Sequence, residues 1–557
     1  MGEKGRTRAE REFGEPRACG AGCSAQVTNW PPLHPPDRSL RPGRHSLATT
    51  KLLPSRHSRR NVTAHRRQFL RLCGIAGIGA IAGCSDGSGD DGTPDPTDAP
   101  SDTSEPPSET AETPPETADT PSETADTPPE TAESTGGWTQ RANFDPDDGD
   151  TGDMFGYSLA VSGDGTTAVV GAIASGDFEG TLSATETPSG GDTSTADESN
   201  GQSSGAAYVF DGSGGSWSQA AKLTPDDGDS QDYFGSSVAV SSDGTTAVIG
   251  AYGDEDPNGE EAGSAYVFEA VGDSWTQRAK LAPDDGEEFD GFGYSAAMSS
   301  DGTSAVVGCY QTDPDTRDAG SAYVFDRSGE SWTQQAKLTA DDGESEDDFA
   351  KSLALSDNGA TALVGDPHEA DPNGDLSGSA YVFDGSGESW TRRAKLTAAD
   401  GDSDDVFGWS VALSGDGTTA LVGAFGDEDP YGDLSGSAYV FDGSGEAWTQ
   451  QAKLIAEDGD AKDHFGISVA LSGDGSRALL GAENKYSSKT TNAGAAYVFD
   501  GSDDSWAQQA KLVDDAANGQ QFGNSVALST DGATALVGDV RDFDTDGSGG
   551  SAYVFTS

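Results

Sequence analysis

Asp542, Asp544 and Asp546 stand at alternate positions ahead of Gly547. Three carboxylates at this spacing, followed by a turn-forming glycine, have the pattern with which a calcium loop opens. Ca2+ at these residues is the one cofactor the sequence suggests. Other carboxylates come in runs, among them Asp254-Glu255-Asp256, Asp284-Asp285-Gly286-Glu287-Glu288 and Asp427-Glu428-Asp429. In a chain with 96 Asp+Glu, paired acids say nothing about acid–base catalysis. Groups able to attack or shuttle protons are scarce. Beyond Cys84 the histidines are His368 and His464, and the one further cysteine is Cys309. There is no His-Glu-x-x-His and no phosphate-binding glycine loop. No residue is assigned a catalytic role, and the chain does not read as an enzyme.

These groups must be held by a repeat of about 58 residues that fills the chain from Trp138 onward. From Phe407 it runs Phe-Gly-Trp-Ser-Val-Ala-Leu-Ser, then Gly-Asp-Gly-Thr-Thr and Ala-Leu-Val-Gly-Ala. An acidic loop follows, then Gly-Ser-Ala-Tyr-Val-Phe-Asp and Ala-Trp-Thr-Gln-Gln-Ala-Lys-Leu. The tryptophan recurs at Trp138, Trp217, Trp275, Trp332, Trp390, Trp448 and Trp506. Four short apolar runs per unit, bounded by Gly/Asp/Ser turns, predict four strands per unit. Seven such units predict an all-β, seven-bladed β-propeller.

The chain opens this region with a fourth-strand sequence, 138–144, and ends at a third strand, 551–555. The strands balance if 138–144 joins the last blade, which closes the ring and leaves no unfinished edge. Alternation places Trp448, Gln450, Ala452 and Leu454 on one strand face. The recurrent glycine after strand two, as at Gly171 and Gly423, implies positive φ or close backbone approach.

The Phe-Gly pairs at Phe155, Phe234, Phe292, Phe407, Phe465 and Phe522, with Gly-Ala at Gly171, Gly250, Gly423 and Gly481, resemble the FG-GAP repeat family of integrin α-subunit heads. Repeat four departs with Phe349-Ala350, and repeat three with Gly308-Cys309. The resemblance implies ligand recognition by the 4–1 and 2–3 loops. It also implies calcium between strands one and two, but here that loop is a Ser-Gly-Asp-Gly-Thr turn with one Asp, as at Ser162–Thr166. The 4–1 and 2–3 loops are the acidic ones, so Asp254, Asp256, Asp427 and Asp429 are the expected ligand face. Repeat six breaks the pattern with Asn484-Lys485-Tyr486.

Ahead of the repeats, residues 1–83 carry 15 Lys+Arg against 5 Asp+Glu. At 62–84 a twin arginine, Arg66-Arg67, is followed by Phe69-Leu70, a short apolar core and Ile81-Ala82-Gly83-Cys84. This looks like a haloarchaeal twin-arginine lipoprotein signal, with Cys84 lipidated and the chain anchored on the outer face of the cell membrane. The apolar run is too short to span a bilayer. Residues 1–61 read as translated upstream sequence, and 85–137, rich in Thr, Pro and Glu, as a disordered tether to the propeller at 138–557.

A net charge of −63 and a pI near 4.1 on a chain with a packed core imply an extreme halophile. They exclude nucleic acid as a partner. The expected function is a lipid-anchored extracellular binding or adhesion module for a cell-surface glycan or protein. The alternatives are a surface enzyme acting on polysaccharide and a structural envelope component.

Overall fold

The computed structural model describes residues 136–557 apart from 148–152, 174–203, 214, 256, 273, 310–318, 344–346, 371–372, 446, 486–492, 503–504, 515–520 and 541–548. All described residues lie in the compact unit Ser122–Ser557. They form seven four-stranded antiparallel sheets, each a blade of consecutive strands in six cases. Blades 1 to 6 span 155–223, 234–281, 292–338, 352–396, 410–454 and 465–512. Blade 7 takes Phe522–Leu528, Thr534–Asp539 and Ser551–Thr556 and completes itself with strand Thr139–Phe144 from the other end of the chain. That strand pairs Thr139 with Thr556 and Phe144 with Ala552. No helix occurs among the described residues.

Second and third strands are buried throughout, because neighbouring blades cover both faces. This explains their runs without polar alternation. Seven apolar clusters fill the spaces between blades, and one joins Phe155 and Val170 of blade 1 to Leu536 and Val554 of blade 7. Each Phe of the Phe-Gly pairs is essentially fully buried. Phe407, for example, meets the Phe441 ring edge-on at 5.9 Å. Burying a side chain of this size contributes about 2–3 kcal/mol.

First strands are innermost and set the blade-to-blade geometry. The glycine after strand two allows close approach rather than positive φ: a Cβ at Gly171 would collide with the Gly235 carbonyl of the next blade. Positive φ belongs instead to the glycine of Phe-Gly, such as Gly156 at 84°. Beside it, the invariant serine of strand one donates its hydroxyl to the next blade. Ser158 reaches Gly235 O at 2.8 Å, Ser237 Gly293 O at 2.8 Å and Ser410 Gly466 O at 2.8 Å. Ser295, Ser352 and Ser468 do the same, and Ser525 donates to Gly156 O at 2.6 Å. The circle of hydroxyl bonds is complete.

A chain of six main-chain bonds lies at the opposite end of the axis, where the 1–2 turns meet. Gly163, Ser242, Ser300, Asp357, Gly415 and Gly473 each donate their N–H to the next turn's carbonyl at 2.8–3.0 Å. The axis is therefore floored by main chain on that side.

One sequence expectation fails for a clear reason. A β-bulge interrupts every outer strand, between Val440 and Phe441 in blade 5. The extra residue turns the strand over. Trp448 consequently packs into the apolar cluster on one side of its blade, while Ala452 and Leu454 pack on the other.

Candidate functional site

The seven repeats form an internal alignment, and within the strands they diverge most where the first strands converge on the axis. The residue after Phe-Gly is Tyr157, Ser236, Tyr294, Lys351, Trp409, Ile467 or Asn524 in blades 1 to 7. Its neighbour on one side is always Ser and on the other Gly or Ala. A position that neither the strand nor the blade interface constrains is free to specialise.

Local backbone conformation makes this end of the axis distinctive. Twelve described non-glycine residues have positive φ, and all twelve lie in 4–1 or 2–3 loops or at Ala350, which opens a first strand. Met154, Tyr233, Val406 and His464 immediately precede a Phe-Gly pair, with φ of 53–59°. Left-handed conformation in a β-branched residue such as Val406 is strained. Strain of this kind persists only where the surroundings enforce it, and it concentrates at functional sites.

The side chains here form one connected arc. The Tyr252 ring packs 4.9 Å from Tyr233 and 5.6 Å from Tyr294. Lys351 Nζ bonds the Tyr294 hydroxyl at 2.7 Å and sits 4.7 Å from the Trp409 ring. Trp409 meets Phe425 edge-on at 4.8 Å, and Phe425 lies 5.2 Å from the His464 ring. His464 Nδ1 is 3.1 Å from Glu483 Oε1, whose other oxygen accepts from Asn524 at 3.0 Å. The Tyr157 hydroxyl is pushed above its ordinary range by burial and then by Tyr294. Tyr233, Tyr252, Tyr294, Trp409 and Asn524 remain half-buried, whereas His464 and Glu483 are buried.

Many of the acids around this mouth are structural. In blade 2, Lys280 pairs with Asp227 at 2.8 Å and with Asp254 at 2.9 Å, and the Tyr266 hydroxyl donates to Asp254 at 2.5 Å. Blade 5 repeats this with Lys453, Asp400, Asp427 and Tyr439. Blade 4 does so with Lys395, Asp342, Glu369 and Tyr381. Each node ties an inter-blade loop to the blade that follows. Burial and the adjacent carboxylates push Tyr266 and Tyr439 upward. Burial raises Asp227 and Asp400, but their bonds to Lys280 and Lys453 outweigh it and hold both below the usual range.

Asp254 and Asp427, expected as displayed ligand carboxylates, are therefore buried at 3% exposure inside these nodes. Asp429 is exposed, with its N–H on Asp427 at 2.8 Å. Lys485 of repeat six is not a displayed charge. It is buried and bonds Asp463 at 2.8 Å, where other blades place an acid. Cys309 is buried and in no disulfide. Six of the seven 1–2 turns consume their own aspartate, with Asn358 in its place in blade 4: Asp164 accepts from Ser162 Oγ, Thr166 N and Thr166 Oγ1. Asp256, the string Asp542, Asp544 and Asp546, the signal residues Arg66, Arg67, Phe69 and Leu70, and Cys84 lie outside the described residues. Among the described residues no three His, Cys, Asp or Glu are grouped to hold a metal.

A closed ring with scaffold-locked blades and one divergent, strained end defines a seven-bladed propeller of the binding-module class. The FG-GAP repeat model matches seven times, at 138–185, 217–268, 275–325, 332–383, 390–441, 448–499 and 506–555, and the chain belongs to that family. Its members are typically non-enzymatic binding modules. Each match begins at a recurrent tryptophan, so each repeat supplies the fourth strand of one blade and the first three of the next. No curated protein matches the chain.

Proposed function

We propose that this chain is a lipid-anchored, extracellular binding and adhesion module that engages its ligand with the axial mouth and the surrounding 4–1 and 2–3 loops. The carrying observation is the divergence of Tyr157, Ser236, Tyr294, Lys351, Trp409, Ile467 and Asn524 within otherwise near-identical repeats. Attachment rests on the Arg66-Arg67 signal and Cys84, with 85–137 holding the propeller away from the membrane. The acidic surface suits an extreme halophile, in which a Debye length of roughly 3 Å or less screens self-repulsion. A calcium ion held by Asp542, Asp544 and Asp546 ahead of Gly547 is part of this reading.

Blocking each face in turn tests the reading. Asp429→Cys and Glu388→Cys place a thiol on the mouth side and in an exposed 3–4 turn on the opposite side. After coupling to a bulky polyethylene-glycol maleimide, the Asp429→Cys protein should lose binding to envelope from the source cells. The Glu388→Cys protein should keep it. The reverse pattern would place recognition on the other face.

A further inference from the structure

We infer that the axial mouth takes a neutral saccharide. This rests on the mouth being the recognition surface and adds the class of ligand. Three half-buried rings from different blades, Tyr252, Tyr294 and Trp409, make up one side. The opposite side is the polar pair Glu483 and Asn524, joined at 3.0 Å and steadied by His464 at 3.1 Å from Glu483.

Charge excludes the alternatives on both signs. Glu483, buried beside Asn524 and so little screened even at multimolar salt, repels an anion brought into contact with it. Anionic ligands are therefore disfavoured. Cations meet Lys351, whose ammonium lies over one face of two of these rings, 4.2 Å from the Tyr294 centroid and 4.7 Å from that of Trp409. A ligand cation would have to compete with it and be repelled by it. An uncharged ligand remains.

The groups present then specify its chemistry. Aromatic faces cover apolar C–H surface, and a few convergent polar groups fix orientation. The half-buried Asn524 amide both donates and accepts, and the buried Glu483 fixes its orientation. A pyranose presents this combination, an apolar ring face edged by hydroxyls. The Glu483–His464–Asn524 bonds hold the amide in place before the ligand arrives, which lowers the entropic cost of ordering it.

The test is an array of immobilised neutral gluco-, manno- and galacto-oligosaccharides beside uronic-acid and sulfated counterparts. It is probed with the full-length protein at constant multimolar KCl. Neutral sugars should bind, with affinity falling at least tenfold in Trp409→Ala and in Asn524→Ala and unchanged in Glu388→Gln. Tyr252→Ala, which follows a strand end, guards against a folding defect at Trp409 and should also lose at least tenfold. Preference for the charged glycans, no glycan binding at all, or neutral binding indifferent to all three mouth substitutions would each overturn the saccharide assignment. If the glycan array is blank while maleimide coupling at Asp429→Cys still blocks envelope binding, the recognition face stands and only the ligand class falls.

Discussion

Ser525 donates its hydroxyl to the Gly156 carbonyl at 2.6 Å, joining the last blade to the first across 369 residues of sequence. Every other blade junction repeats the same bond. The last blade also depends on strand Thr139–Phe144, whose flanking Trp138 and own Phe144 are both buried. Deleting 138–144 removes these two aromatics, worth about 4–6 kcal/mol of burial together, and uncovers a sheet edge. The expected result is one cooperative transition at a lower midpoint. An unchanged midpoint, or a separate early step confined to blade 7, would show that the strand does not close the ring.

Blade 6 offers an internal control for the carboxylate nodes. Lys485 and Asp463 are both nearly inaccessible and 2.8 Å apart. Removing one partner of such a pair costs about 3–5 kcal/mol, because the other charge stays buried. Lys485→Met should lose stability on that scale, and Lys485→Met with Asp463→Asn should recover most of it. Additive losses, measured by chemical denaturation at fixed salt, would mean that the two residues are not coupled.

Blade 5 lacks this lysine, and Asp405 there is driven up to about 7 by burial, against the Asp402 N–H and with the Asp427 charge. Asp232 in blade 2 rises to about 6 for the same first reason. Each holds a proton in the fold that it releases near pH 4 when unfolded. The stability this brings is complete below pH 4 and is lost as pH rises through about 7, at up to about 1.4 kcal/mol per unit for each group. Carboxylates held low, such as Asp400, act only in the acid limb. Asp405→Asn keeps an oxygen for the Asp402 N–H, so its midpoint should gain on the parent from pH 5 to about 7 and level off above that. A difference independent of pH would contradict this.

Much of the fold was legible because the repeat encodes it. The tryptophans gave the blade count, and the stray strand 138–144 gave the closure. The bulge opposite Phe441 was not legible, because a one-residue insertion leaves the same alternating string while reversing which side Trp448 faces. The acidic face was read correctly as loops but not as chemistry. Asp254 and Asp427 looked like displayed ligands because sequence shows an acid and not its partner. The available signal was the recurrence of one tyrosine in every blade and one lysine in six of the seven, as at Lys453 and Tyr439, in a lysine-poor chain. The axial residues could also have been found by asking where the repeats disagree.

Anchoring is tested in the source cells. Cys84→Ser should release the protein to the medium or leave its precursor uncleaved, and Arg66→Lys with Arg67→Lys should stop export. Fractionation with an antibody to the propeller distinguishes these outcomes. Normal membrane retention of the Cys84→Ser protein would rule out a lipid anchor on that residue.

The account stands or falls on whether the divergent axial residues carry recognition rather than packing. Ser236 shows that serine fits this position, its hydroxyl donating to the Gly293 carbonyl of the next blade at 3.2 Å. Tyr157, Tyr294, Lys351, Trp409, Ile467 and Asn524 should therefore all be replaced by Ser in one protein, and its affinity for envelope from the source cells measured beside the parent. The predicted result is a folded, cooperative propeller whose binding is at least a hundredfold weaker than the parent's. Undiminished binding by the substituted protein would contradict the account.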